Sequence, residues 1–199
     1  AIIRRDDILV HQPFESFNAT VERFIQYAAN DPKVLAIKMA VYRTSEESPF
    51  IRALIRAAEQ GKQVGCLVEL KARFDEERNI NWANQLEQTG VHVVYGVVGL
   101  KTHCKAALVV RQDPDGIRSY VDIGTGNYHS QTAKLYTDLG LFTCKPEYTQ
   151  DVVELFHYLT GRSLKREYRK LLVAPVNMRT RFVEMINRER QHQEAGRPA

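Results

Sequence analysis

A histidine and a lysine two residues apart carry the clearest chemistry in this sequence. They are His103 and Lys105, in the segment Lys101-Thr102-His103-Cys104-Lys105. On a β-strand, side chains two apart point to the same face of the sheet. A neutral imidazole can attack a phosphorus atom, and a neighbouring ammonium can hold the phosphate oxygens. The pair therefore indicates phosphoryl transfer through a phosphohistidine, although many His-x-Lys pairs contain a histidine that is only structural.

A Gly-Thr-Gly-Asn turn at 124–127 is expected to lie at the same end of the sheet as this pair. Its glycines let the backbone come close to a ligand, and its N–H groups can bind an anion. We therefore expect Asn127 to contact phosphate. Cys104, which lies between His103 and Lys105, is expected to point to the opposite face and into the core, and is not expected to be a nucleophile.

Further cations follow the first two predicted strands. Arg43 comes after the first strand, and Lys71 and Arg73 come after the second. Ligands usually bind beyond the carboxyl ends of such strands, so these side chains are predicted to meet His103 and Lys105 in one crevice. Arginine matches phosphate oxygens with a fork of donors, and several cations would stabilise a phosphoryl transition state. The alternative for each arginine is a surface ion pair.

The hydrophobic pattern predicts an α/β fold. In the first half, helical spacing alternates with apolar runs, and this order argues for a mostly parallel sheet covered by helices. In the second half, two runs around a Pro-Asp-Gly turn predict a hairpin. The predicted strands are 34–41, 63–70, 91–95, 101–111, 117–123 and 138–144. The predicted helices are 14–30, 48–60, 75–89, 149–160 and 178–194.

Composition excludes several classes of protein. The chain has 199 residues, of which 44% are hydrophobic and 26% charged, and a net charge of +4, which suits an anionic ligand. No apolar run reaches the roughly 18 residues of a transmembrane helix. Its three cysteines form no Cys-x-x-Cys motif, which argues against a zinc site or a disulfide framework. We expect a cytoplasmic protein, with peripheral membrane association left open.

The motifs resemble two related groups of proteins. The pairing of His-x-Lys with a downstream GxxN-like turn resembles the phospholipase D superfamily. Longer stretches resemble the histidine-using polyphosphate kinase family: AVYRTSEESPFIRALIRAAEQGKQV, VELKARFDEERNINWANQLEQTGVHVVYGVVGLKTHCKAALVV and IGTGNYHSQTAKLYTDLGLFT. The resemblance implies a phospholipase D-like α/β fold, with a mixed or mostly parallel sheet and helices on both faces. It implies a first catalytic domain at 1–165 and the helical start of the next at 166–199.

The resemblance also implies roles for single residues. His103 matches the histidine that takes the γ-phosphate of ATP, and Lys105 matches its partner. Arg43 and Arg73 match a pair associated with magnesium and phosphate. Because Mg²⁺ prefers oxygen ligands, we interpret these arginines as clamps on a phosphate chain, with the direct Mg²⁺ ligands unassigned. Tyr136, in LYTDLGL, matches a nucleotide-contacting position, and its alternative is a core tyrosine.

The implied reaction is the reversible transfer of the ATP γ-phosphate to inorganic polyphosphate, with Mg²⁺ as cofactor. The implied partners are ATP, ADP and polyphosphate, with a homo-oligomer for the full-length enzyme and no nucleic acid. The chain has one His-x-Lys motif, and its Asp113 is misplaced for the hydrolase version. We therefore expect a fragment with half an active site. Two alternatives remain open: a dimeric phospholipase D-like phosphodiesterase or nuclease, and a non-catalytic polyanion-binding module.

Overall fold

The structure is a computed structural model that describes residues 2–41, 48–69, 76–97, 99–161, 163 and 167–197, with backbone alone at 76–79. Within these residues one mixed sheet has the strand order β1-β7-β6-β5-β2-β3-β4. Its strands are β1 Ile8–Gln12, β2 Val34–Val41, β3 Gln63–Val68, β4 His92–Val94, β5 Ala106–Asp113, β6 Gly116–Gly124 and β7 Asp138–Thr143.

Helices cover both faces of this sheet. They are α1 Arg23–Asn30, α2 Pro49–Glu59, α3 Glu76–Gln88, α4 Pro146–Leu159 and α5 Met178–Glu194, and a π-helical turn at Asn18–Glu22 leads into α1. Alternate residues of β5 separate the two cores. Ala107 and Val109 pack in the cluster that contains the buried residues of α1, α2 and α3, whereas Ala106 and Leu108 pack against α4. The predicted helices on both faces are therefore confirmed.

The sheet is mixed, as predicted, but the expectation of a mostly parallel sheet is wrong, because parallel pairing is confined to β2, β3 and β4. Those strands are joined by α2 and α3, the helical crossovers that parallel pairing requires. The other pairings are antiparallel, because β5 and β6 form the predicted hairpin and β7 returns beside β6. Strand β1, which sequence analysis missed, pairs with β7 as a short strand at the edge.

One edge of the sheet collects the strand ends that matter for the candidate site. The register pairs Met39 of β2 with Ala107 of β5, and Gly124 of β6 with Gly140 of β7. The carboxyl ends of β1, β2, β3, β4 and β6 therefore lie beside the amino ends of β5 and β7. We call this the upper edge.

The predicted strand at 101–111 begins later than expected, at Ala106. The Gly124 amide donates to the Lys105 carbonyl at 2.9 Å, and β6 ends at Gly124. Without a neighbouring strand beyond Gly124, residues 101–105 continue outside the sheet. His103 and Lys105 therefore precede the strand on which they were predicted to lie.

Between α4 and α5 the chain packs back against α4. We call residues 168–177 the connector. Its Tyr168, Leu171 and Val173 pack against apolar side chains of the α4 face. By contrast, α5 contains no buried residue, and Phe182 and Ile186 are exposed along it.

A buried carboxylate holds the hairpin turn at the opposite edge. The Asp113 side chain is fully enclosed and accepts hydrogen bonds from Arg111, from Arg118 at 3.2 Å and from the Tyr120 hydroxyl at 2.6 Å. Burial alone would raise the pKa of Asp113, but the hydrogen bonds from Tyr120 and Arg111 outweigh burial, so its pKa lies below the usual value.

We expect Asp113→Ala to lower the free energy of unfolding by about 2 kcal/mol at pH 7, because two guanidinium groups and a buried hydroxyl lose their acceptor. A carboxylate with a depressed folded-state pKa stabilises the protein above its unfolded pKa and loses that effect as pH falls through the folded value. The difference should therefore shrink below about pH 4. Urea unfolding at pH 7 and at low pH measures both quantities.

Asp115→Ala is the matched control, since the half-exposed Asp115 carboxylate bonds Arg4 and Arg118 in the same turn. Exposed pairs contribute at most about 1 kcal/mol. Equal losses in the two variants would contradict the special role of the buried carboxylate.

Candidate active site

The structure brings the side chains of His103 and Lys105 together. The Lys105 Nζ atom lies 3.0 Å from His103 Nδ1 and donates to the His103 carbonyl oxygen at 2.6 Å. With the ammonium donating to Nδ1, a neutral ring carries its proton on Nε2. The Nδ1 lone pair is thus directed at Lys105.

Two buried contacts fix the segment that carries this pair. The Thr102 amide donates to Glu69 Oε2 at 2.8 Å, and both residues are buried. On the opposite side, Cys104 packs against the apolar cluster of Ala40, Leu67 and Leu155. Burial raises the pKa of the Cys104 thiol to about 11, which disfavours a reactive thiolate. The prediction that Cys104 belongs to the core is confirmed.

The surroundings of His103 disfavour protonation of its imidazole. Partial desolvation lowers the pKa of His103, and the positive charges of Lys105 and Lys101 lower it further. Lys105 is itself buried, at 6% exposure, and this desolvation lowers its pKa although Cys104 and Asp138 act in the opposite direction. A partly desolvated ammonium beside an exposed imidazole is suited to receive an anion, because the anion would replace the hydration that the ammonium has lost.

The Gly-Thr-Gly-Asn loop at 124–127 is held against Asp138. The Thr125 hydroxyl donates to Asp138 Oδ1 at 2.8 Å and accepts from the Leu139 amide at 3.0 Å. A β-carbon on Gly126 would lie 2.5 Å from Asp138 Oδ2, so only glycine fits there without a shift. Just after the loop, the buried Tyr128 hydroxyl donates to Asp122 Oδ2 at 2.9 Å. This anchor fixes the far end of the loop at the upper edge.

Asn127 has a buried Oδ1 atom for which the structure gives no hydrogen-bond partner. A buried acceptor in this state costs free energy unless a donor reaches it. The predicted phosphate contact of Asn127 is not tested by the structure, and it stays a prediction.

The remaining predicted residues divide into two groups. Arg43, Lys71 and Arg73 lie outside the described residues, so their convergence on His103 stays a prediction. Tyr136 lies in the turn before β7 and is 65% exposed, which excludes the core interpretation and leaves its ring open to a ligand.

Sequence reasoning missed two carboxylates, Glu69 and Asp138. Each had a signal. Glu69 directly follows the apolar strand β3 at its carboxyl end, and Asp138 opens β7 two residues after Tyr136.

A protein-held magnesium site is not evident in the described part of the chain. No group of three or more His, Cys, Asp or Glu side chains there could hold a metal ion. Asp138 is hydrogen bonded to Thr125, and Glu69 to the Thr102 amide. The described residues therefore do not fit a complete set of Mg²⁺ ligands.

We expect Gly126→Ala to lower the free energy of unfolding by about 1–3 kcal/mol, because the new methyl group overlaps the Asp138 carboxylate. Gly124→Ala is the matched control in the same loop. There a β-carbon meets its nearest neighbour, the Leu139 carbonyl oxygen, at 3.5 Å, an ordinary contact. The midpoints of thermal unfolding of both variants, compared with that of the wild-type protein, test this expectation. An unchanged midpoint for Gly126→Ala would show that Asp138 moves aside at no cost.

We expect an NMR titration to place the pKa of His103 below the usual value of about 6.5. Lys105→Met should raise this pKa, and Lys101→Met should raise it less, because Lys105 has the larger electrostatic effect. Lys134→Met, on the turn before Tyr136, should leave it unchanged. If the pKa of His103 were the same in Lys105→Met as in the wild-type protein, the proposed electrostatic coupling would be ruled out.

Solved structures agree with the fold. Polyphosphate kinase from Porphyromonas gingivalis matches with a TM-score of 0.86 and 38% identity, over 98% of this chain and 32% of that chain. Nuc, a phospholipase D family member from Salmonella typhimurium, matches with a TM-score of 0.59 and 14% identity, over 79% of this chain and 95% of that chain. The second likeness shows a shared phospholipase D-like fold.

Sequence comparison gives the family. A curated relative named polyphosphate kinase, from Synechocystis sp., is 66% identical over 96% of this chain and 26% of its own length. Another, from Thermosynechococcus vestitus, is 62% identical over 100% of this chain and 27% of its own length. The chain thus spans about a quarter of these relatives. The family model for polyphosphate kinase C-terminal domain 1 matches residues 1–165, and this chain therefore belongs to the polyphosphate kinase family.

Proposed function

We propose that this chain supplies the phosphohistidine-forming part of an ATP:polyphosphate phosphotransferase. The observation that carries the proposal is the contact between Lys105 Nζ and His103 Nδ1 at 3.0 Å, beside an imidazole whose pKa is depressed. A neutral imidazole is a nucleophile near pH 7, and a buried ammonium next to it can stabilise phosphate oxygens.

The proposed reaction has two steps. An imidazole nitrogen of His103 attacks the γ-phosphorus of ATP, so that an N–P bond forms, the bond to the bridging oxygen breaks and ADP leaves. A terminal oxygen of polyphosphate then attacks the same phosphorus, and the N–P bond breaks. The chain grows by one phosphate, and the imidazole is neutral again.

Lys105 has a defined part in the first step. In the free site its ammonium donates to His103 Nδ1. An arriving γ-phosphate offers the ammonium a charged acceptor, which forms a stronger hydrogen bond than a neutral nitrogen does. When Lys105 turns to the phosphate oxygens, the Nδ1 lone pair is released. The substrate thus frees the nucleophile by the same contact that neutralises its own charge.

The surroundings of this pair complete the proposal. Asn127, Tyr136 and the cations Arg43, Lys71 and Arg73 bind the polyphosphate chain or the nucleotide. Mg²⁺ arrives with the phosphates of the substrate, in keeping with its preference for phosphate oxygens and water.

We also propose where and how the protein works. The full-length enzyme is a homo-oligomer that acts on phosphates and not on nucleic acid. It lies in the cytoplasm, in keeping with the three free thiols of Cys66, Cys104 and Cys144. Within the described residues, no helix is long and apolar enough to cross a membrane.

Labelling from γ-³²P-ATP with Mg²⁺ tests the proposal. We expect acid-labile, base-stable label on a chain extended to the length of its relatives. His103→Ala should abolish the label, and Lys105→Met should slow it on the order of 10²-fold, the loss typical of a removed transition-state contact. His129→Ala is the control, because its Nδ1 atom accepts from the Thr132 amide within the same edge.

Absence of label on the extended chain would overturn the phosphohistidine mechanism. Cleavage of a phosphodiester would then favour the phospholipase D-like hydrolase. Salt-sensitive polyphosphate binding that survives His103→Ala, without label on the parent, would favour a binding module.

A further inference from the structure

The connector is fastened to α4 by one buried carboxylate. Asp151 is 4% exposed and accepts three backbone hydrogen bonds, from the amides of Arg169 at 3.0 Å, Lys170 at 2.7 Å and Leu171 at 2.9 Å. Hydrogen bonds to a charged acceptor are about twice as strong as neutral ones. Three successive amides on one carboxylate fix the backbone direction of the connector where it meets α4.

A second side chain closes the far end of the connector. Asn177 Oδ1 accepts from the Val173 amide at 2.7 Å, and its Nδ2 group donates to the Leu171 carbonyl at 3.2 Å. The connector is therefore a shaped segment, held at one end by Asp151 and closed on itself at the other by Asn177.

The connector forms one wall of a cavity whose other wall is the catalytic segment. The cavity has a volume of about 630 Å³ and is lined by the segment with His103 and Lys105, by α4 and by residues 171–175 of the connector. Leu171 and Val173 also pack against the same apolar cluster as Cys104. The side chain between the two predicted catalytic residues thus shares its packing with the connector.

We infer that Asp151 is a positioning residue for the phosphohistidine reaction. By holding Leu171 and Val173 in the cluster that contains Cys104, it fixes the backbone that presents His103 and Lys105 to the substrate. This inference rests on the proposed function. Asp151 itself touches neither residue of the pair, so it acts through packing, and a small displacement of a catalytic group can cost on the order of 10²-fold in rate.

The test compares Asp151→Ala, Asp151→Asn and the control Gln150→Ala, an exposed neighbour on α4. Amide hydrogen exchange is followed by NMR at 169–171 and in β5 and β6. Single-turnover labelling from γ-³²P-ATP is followed in the chain extended to the length of its relatives, and it gives both the rate constant and the fraction of chains labelled.

We expect Asp151→Ala to lose protection at 169–171, to keep it in β5 and β6, and to lower the labelling rate constant by ~10- to 100-fold. Asp151→Asn keeps one acceptor oxygen at nearly the same size, so its amide protection and its labelling rate constant should lie between those of the wild type and Asp151→Ala. It replaces the alanine variant in the test if that variant does not fold. A merely structural role would lower the labelled fraction and leave the rate constant unchanged.

Two outcomes overturn the inference while the proposed function stands. One is a wild-type rate constant in a variant whose connector amides exchange freely, and the other is full protection of 169–171 in Asp151→Ala. If the extended wild-type chain takes no label, the proposed function fails, and this inference fails with it.

Discussion

The candidate site depends on a lysine ammonium that the fold partly removes from water. Lys105 is buried, and desolvation opposes its charge. The protein offsets this cost with the His103 carbonyl oxygen and the His103 ring nitrogen as acceptors. Both acceptors belong to the residue two positions earlier, so the arrangement requires a definite backbone shape over three residues. Much of the surrounding structure, from Glu69 beneath Thr102 to the cluster around Cys104, serves to hold that shape.

The topology of the sheet explains why so many polar groups meet at one edge. Parallel strands β2, β3 and β4 end there, whereas β5, which is antiparallel to β2, begins there. The segment with His103 and Lys105, which leads into β5, therefore lies at the same edge as the carboxyl ends of the parallel strands. The Gly-Thr-Gly-Asn loop after β6 and Asp138 at the start of β7 lie at the same edge. An all-parallel sheet would place the amino end of β5 at the opposite edge, away from the other loops.

Sequence reasoning recovered those features whose signal lies within one element or one turn. The strand at Val34–Val41 and the helix at Met178–Glu194 have the predicted bounds, since apolar runs and helical spacing are local. The same-side arrangement of His103 and Lys105 was also predictable, although the strand begins only at Ala106. Strand β1 and the Asp151 contacts were not predictable, because they join segments whose partners are set by the complete fold.

The pairing of β1 with β7 has a consequence for how the chain acquires its structure. Ile8 lies opposite Phe142 in that pairing, so a strand near the beginning of the chain completes its hydrogen bonds only with a strand made much later. Contacts between residues so distant in sequence slow folding, because a large loop must close before they form. During synthesis β1 cannot pair within the sheet until β7 has been made. The Gly-Thr-Gly-Asn loop and Asp138, which β6 and β7 carry, are likewise synthesised only after the three parallel strands, because they follow them in sequence.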